Sequence, residues 1–216
     1  MKTKKYVVLY VLVCCVELAV ISLDLPFRFL SKPIVMLTLM VMVLANNFSR
    51  SSDFSLFFSA LIFALMGDIF LLQEGEQYFL CGIASFFIMQ VLYAYTFYKQ
   101  KGIGAMRELN KIIGVSVAAL LLNVILWNYT GGLRIPVVFY SLSILAMAIT
   151  GIIRWKVPGY KLVFWGVLLF VFSDSYLGIN KFRTSLWEAD LIVMLSYMIA
   201  QGLIAFGYVK SLSKQN

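Results

Sequence analysis

Apolar residues run in long, nearly unbroken stretches along this chain, and the polar residues between them gather in short clusters. Eight stretches approach the roughly 20 residues that an α-helix needs to cross a bilayer: 6–23, 32–48, 54–72, 78–99, 111–128, 134–153, 161–179 and 187–209. Backbone groups in hydrocarbon have no water to pair with, so such stretches must be helices or the strands of a closed barrel. These are too long and too continuous for barrel strands. The pattern predicts an all-α fold: a polytopic bundle of eight transmembrane helices forming one integral membrane domain over residues 1–216. The connections are short, which makes sequence neighbours antiparallel.

Composition sharpens the picture. Of the 216 residues, 62% are hydrophobic and 13% charged, against about a quarter charged in a soluble domain. Lipid must cover the surplus apolar surface, and the mean hydropathy of +0.92 agrees. The net charge of +8 does not point to nucleic acid, because the basic residues cluster between apolar runs as topology signals and phosphate-facing anchors do. With the N-terminus in the cytoplasm, the inside loops hold Lys2, Lys4, Lys5, Arg50, Lys99, Lys101, Arg107, Lys111, Arg154, Lys156, Lys161, Lys210 and Lys214, which is 13. The outside loops hold Arg28, Lys32, Arg134, Lys181 and Arg183, which is 5. That asymmetry places both termini in the cytoplasm, and the expected location is a bacterial inner (plasma) membrane. Met1–Lys5 resembles the charged start of a signal peptide, but no small-residue cleavage site follows, so it reads as the flank of the first span.

Two absences narrow the chemistry. The three cysteines, Cys14, Cys15 and Cys81, form no CxxC and no disulfide framework. There is no histidine at all, which excludes histidine-based triads and argues against a zinc hydrolase. Acid–base work falls to carboxylates, tyrosines or lysines.

A faint internal similarity runs through the chain. Pro33 opens the second span and Pro136 the sixth, an offset of 103; Asp68 in the third and Asp174 in the seventh are 106 apart; Gln90 in the fourth and Gln201 in the eighth are 111 apart. These offsets suggest a parallel 4+4 repeat about an axis along the membrane normal.

Ionisable residues inside spans carry the strongest functional signal, because a charge near the bilayer centre costs roughly 2.5–3.5 kcal/mol on insertion scales. Glu17, Asp68 and Asp174 qualify. Counted from the expected span ends, Asp68 is four residues and Asp174 five residues from the outer boundary, nearly one depth. Two acids that shared a pocket of low dielectric would not both ionise, leaving one proton donor and one carboxylate, the arrangement general acid–base hydrolysis needs. The alternative is that each acid hydrogen-bonds a neighbouring helix and only stabilises packing; for Glu17, which lacks a matching motif, the two readings weigh equally. Gln90 and Gln201 lie near mid-membrane, where their amides need partners, either as a cavity lining or as links between helices. Tyr93, Tyr140 and Tyr197 each bring a polar tip into an apolar span. Lys32 suits either a lipid phosphate or a snorkelling anchor.

These motifs resemble the YhhN family of eight-span membrane proteins, which includes the lysoplasmalogenases. The matching pieces are Lys32-Pro33-Ile34, Leu65-Met66-Gly67-Asp68-Ile69-Phe70-Leu71, Phe79 to Phe87 with Tyr93, and Pro136-Val137 with Tyr140 and Met147. Further matches are Leu169-Phe170-Val171-Phe172-Ser173-Asp174 and Tyr197-Met198-Ile199-Ala200-Gln201-Gly202-Leu203-Ile204. One departure stands out: where the family usually shows a histidine in an H-x-x-Y pattern, this chain has Gln90-Val91-Leu92-Tyr93.

The resemblance implies hydrolysis of the alkenyl ether bond of a lysoplasmalogen, an ether lipid, with Asp68 and Asp174 as the catalytic pair. Lys32, Gln90, Tyr93, Tyr140, Tyr197, Gln201 and Glu17 would bind substrate. The implied partners are a lysophospholipid and the bilayer. No cofactor or metal is expected, and the donors present would suit only a hard ion such as Mg²⁺ or Ca²⁺. Two other classes remain open at this stage: a transporter with a membrane-embedded acidic proton site, and a lipid-binding membrane protein without catalysis.

Overall fold

A computed structural model describes residues 2–46, 52–100 and 108–212. Arg50, Lys101, Arg107 and Lys214, four of the cations behind the orientation argument, lie outside the described residues. Among the described residues every regular element is helical. The helices are α1 (Lys2–Ser22), α2 (Arg28–Ala45), α3 (Ser52–Phe70), α4 (Glu76–Lys99), α5 (Leu109–Leu126), α6 (Arg134–Ile152), α7 (Tyr160–Phe182) and α8 (Ala189–Leu212), with a 3-10 turn at Gly131–Leu133 leading into α6. All eight are long and apolar enough to span a membrane. The protein is a multi-pass integral membrane protein.

The helix ends differ from the sequence expectation in two places that matter. Pro33 does not open α2; it is the sixth helical residue. The Phe27 carbonyl already accepts the amides of Leu30 (2.9 Å) and Ser31 (3.0 Å), so the helix is nucleated before the proline. Pro33 forfeits the one bond its amide would have made to the Phe29 carbonyl in the second turn. Pro136, by contrast, is the third residue of α6, where its missing amide would have had no partner in the helix anyway. α7 runs on to Phe182, three residues past the expected end. Asp68 therefore sits two residues before the end of α3 and Asp174 eight before the end of α7, so equal counts from the span ends no longer argue for one depth.

The chain falls into two compact units, Met1–Tyr93 and Ala94–Asn216, with α4 continuing through the boundary. In the first, α1 packs on α2 and α2 on α3. The buried positions of α3 are Phe57, Ala60, Leu61, Ala64, Gly67 and Asp68, a stripe at three- and four-residue spacing. Small residues on that stripe allow close approach of the next helix. A Cβ on Gly67 would stand 2.8 Å from the Phe86 ring of α4, and one on Gly82 of α4 would stand 2.7 Å from Leu71. α1 behaves differently: only 17% of its apolar window is buried, and Tyr10, Glu17 and Val20 make its narrow inward stripe.

In the second unit, α5, α6 and α7 share a core of Val115, Ala148 and Ile152, packed by Phe164, Leu168 and Val171. Asn123 on α5 donates its amide to the Ser141 hydroxyl on α6 at 2.8 Å. α7 and α8 approach most closely at glycines. A Cβ on Gly166 would meet Ile204 at 2.8 Å and the Ala200 carbonyl oxygen at 3.0 Å. Gly159, at φ +80°, would carry its Cβ to 2.1 Å from the Gly207 carbonyl oxygen, so no other residue fits there.

Candidate functional site

The first unit holds a polar layer at one end of α1, α2 and α3. Because α2 begins at Arg28, three polar residues share its inward face at helical spacing: Arg28, Ser31 and Lys32. Glu17, fully buried on α1, accepts a hydrogen bond from the Ser31 hydroxyl through Oε2, and its Oε1 lies 3.8 Å from Arg28 Nε. One residue further along α2, Lys32 Nζ stands 3.6 Å from Asp68 Oδ1 of α3, with side chains 9% and 2% exposed. Asp68 lies in the last turn of α3, where the helix dipole disfavours an anion. The Lys32 ammonium offsets that. Tyr10, buried on α1, is within electrostatic range of Asp68 and Tyr93. Tyr93 is fully buried, its ring 5.1 Å from that of Phe57. Gln90, one turn before Tyr93 on α4, is fully buried as well.

The second unit holds its own acid. The Tyr140 hydroxyl on α6 donates to Asp174 Oδ2 on α7 at 2.7 Å. Tyr140 lies six residues after the start of α6 and Asp174 eight before the end of α7. At about 1.5 Å per residue those are ~9 Å and ~12 Å from the same end of two antiparallel neighbours, which is why they meet. Both side chains are half-buried. The adjacent Ser173 hydroxyl donates to the Val193 carbonyl of α8 at 2.9 Å, fixing this part of α7 against α8. On α8, Tyr197 packs edge-on to Phe170 at 5.9 Å, and Gln201 one turn later is fully buried.

Thus the structure joins Lys32 to Asp68 and Tyr140 to Asp174, and it buries Glu17, Gln90, Tyr93, Tyr197 and Gln201. Lys32 pairs with an acid of its own chain, an arrangement the sequence did not suggest, and it does not snorkel to solvent. Sequence reasoning also missed Tyr10 and Ser31, and it read Arg28 only as a loop cation. The signal was there in Glu17: a buried acid on α1 asks for partners just across the tight 23–27 turn, where Arg28 and Ser31 stand.

Each cluster has chemical capacity. A carboxyl beside an ammonium and a carboxyl bonded to a phenol are both oriented groups, able to give or take a proton or to stabilise a developing cation.

The chain is 30% identical over 152 residues to the lysoplasmalogenase TMEM86B of Sus scrofa, covering 70% of this chain and 62% of that one. It is 29% identical over 166 residues to the lysoplasmalogenase TMEM86A of Bos taurus, covering 71% and 65%. The human TMEM86B lysoplasmalogenase is 28% identical over 152 residues. The chain thus spans just under two thirds of the length of these curated relatives. No solved structure matches it. The model of the YhhN family matches residues 27–208, from the turn before α2 into the last turns of α8. The chain belongs to the YhhN family.

Proposed function

We propose that this protein is an intramembrane lipid hydrolase, a lysoplasmalogenase that cleaves the vinyl ether bond of a lysoplasmalogen and works in the inner membrane of a bacterium with both termini cytoplasmic. The carrying observation is that a histidine-free chain keeps carboxyls inside its spans, each held by a specific partner: Asp68 by Lys32, Asp174 by Tyr140. The names of its relatives supply the substrate class.

The chemistry needs one proton donor and one anion. Protonation of the outer alkene carbon of R–CH=CH–O–R′ gives an oxocarbenium ion. Water adds to that cation and loses its proton to the base. The hemiacetal then collapses to the aldehyde R–CH₂–CHO and the alcohol HO–R′, a glycerophospho-base. One water is consumed, and the proton taken from the donor is returned. The demand parallels that of glycoside hydrolysis, where two carboxyl groups serve an oxocarbenium-like transition state. Asp68 and Asp174 are the two acids, with neither assigned a fixed role. Lys32 and Tyr140 position them, and Glu17, Gln90, Tyr93, Tyr197 and Gln201 contribute to substrate binding.

The test is aldehyde release from a defined lysoplasmalogen by purified protein, beside Asp68→Asn and Asp174→Asn. Loss of a general acid or base costs about 10²–10⁴ in rate. Both variants should fall by that much while remaining folded. A wild-type protein inactive on every headgroup tried would sink the proposal and turn attention to Gln90, which stands where the family usually carries histidine.

A further inference from the structure

At the opposite end of α7 from Asp174 lies a cleft of about 300 Å³. Its lining includes Lys156, Lys161 and Lys210 with Trp155, Val157 and Tyr160; the Glu108 carboxylate that accepts from the Tyr160 hydroxyl at 3.2 Å is itself paired with Lys111. Fourteen residues of α7 separate Tyr160 from Asp174, about 21 Å along the helix. The cleft shares no residue with either acid cluster, and its role does not rest on the hydrolase reading.

Its construction is specific. Lysines from two places in the chain converge because the α6–α7 turn is pressed against α8 where Gly159 meets Gly207, three residues before Lys210. Lys156 holds a left-handed backbone at φ +69°, which an L-residue with a long side chain adopts only at a cost. The Val157 amide closes the turn on the Arg154 carbonyl at 2.9 Å. Arg154 itself is fully buried behind this turn, with its guanidinium 5.1 Å from the Phe97 ring centre. Its Nη2 donates to the neutral Gln100 Oε1 at 2.6 Å, while Nε and Nη1 have no hydrogen-bond partner among the described residues. Burial pushes the Arg154 guanidinium down to about 10, so it stays charged at neutral pH. The turn thus adds to three exposed cations a buried one with no carboxylate partner among the described residues. The N-terminus of α7, the positive end of its dipole, opens at the same place. The walls between the lysines are Trp155, Val157, Tyr160 and Leu162, apolar and aromatic surface of the kind that settles at a membrane interface.

We propose that this cleft binds a phosphate-bearing anion, with the three lysines around the phosphate and the aromatic walls against whatever apolar chain it carries. A lipid headgroup and free phosphate share that chemistry, and the experiment separates them. Purified protein in detergent is titrated with dioleoyl phosphatidylglycerol and with dioleoyl phosphatidylcholine, and bound lipid is counted by native mass spectrometry. The variant is Lys156→Gln/Lys161→Gln/Lys210→Gln; all three side chains are exposed, so the fold should survive. Lys181→Gln, exposed at the other end of α7, is the control. The tightest phosphatidylglycerol should bind at least about tenfold more weakly to the triple variant than to wild type or control. It should also weaken as sodium chloride rises from about 50 to about 500 mM, where screening shortens. Displacement by millimolar inorganic phosphate would mark the anion alone as the ligand, and resistance to it would mark the lipid headgroup. Equal lipid affinity in wild type and triple variant, with no displacement of either by phosphate, would overturn the site.

Discussion

The Lys32–Asp68 pair can be weighed by a double-mutant cycle. The charges stand 3.6 Å apart with side chains 9% and 2% exposed, so solvent screens them little. At an effective dielectric constant near 20, Coulomb's law gives an attraction of about 5 kcal/mol. That is not the net value of the pair, because both groups left water to form it. Removing one partner strands the other, and such losses run at about 3–5 kcal/mol. Lys32→Met and Asp68→Asn should each cost that much. The double variant strands no charge and should be more stable than either single one, with a coupling of at least about 3 kcal/mol. The assay is thermal unfolding of purified protein in detergent micelles. For a chain of this size a kcal/mol moves Tm by roughly 2–4 °C, so each single change should lower Tm by about 6–20 °C. Additive losses, or single variants that melt with the wild type, would show that the ammonium and carboxylate do not depend on one another.

Other consequences can be checked more briefly. Tyr140→Phe removes the phenol that donates to Asp174 at 2.7 Å, a bond worth about 1.5–3 kcal/mol if the acceptor is charged; kcat for aldehyde release should fall about 10- to 100-fold with KM little changed. Unaltered turnover would remove Tyr140 from the machinery. Gly166→Ala places a methyl 2.8 Å from Ile204 and 3.0 Å from a backbone carbonyl and should cost about 1–3 kcal/mol in thermal unfolding. Gly114→Ala meets nothing within 4 Å and should be neutral or stabilise by up to about 1 kcal/mol, so equal melting of the two variants would contradict the close α7–α8 approach. A C-terminal reporter active only in the cytoplasm should be active on the full chain, and silence there would reverse the proposed orientation.

Much of the fold was legible because its causes are local. A bilayer sets the length of a span, and hydrocarbon forces each span to satisfy its own backbone, so the apolar runs gave eight helices with ends off by a few residues. The membrane acids were legible for the same reason: Glu17, Asp68 and Asp174 stand out against lipid whatever surrounds them.

What sequence could not supply is which polar groups meet. That depends on where each helix starts, how it is rotated and how tightly its turn folds back. Reading Pro33 as the opening of α2 hid Arg28 and Ser31, because it left them off the helical face where they reach Glu17. Tyr140 and Asp174 already stood near one level in the expected spans, but the apolar pattern does not say that their helices turn those faces to one another. The lysines at 156, 161 and 210 looked like ordinary topology signals until Gly159 and Gly207 brought their segments around one cleft. The sequence alone determined the eight spans and the residues too costly to leave idle in lipid. Tertiary structure decided their partners, because a contact between helices is fixed by the geometry of both surfaces and of the turn between them.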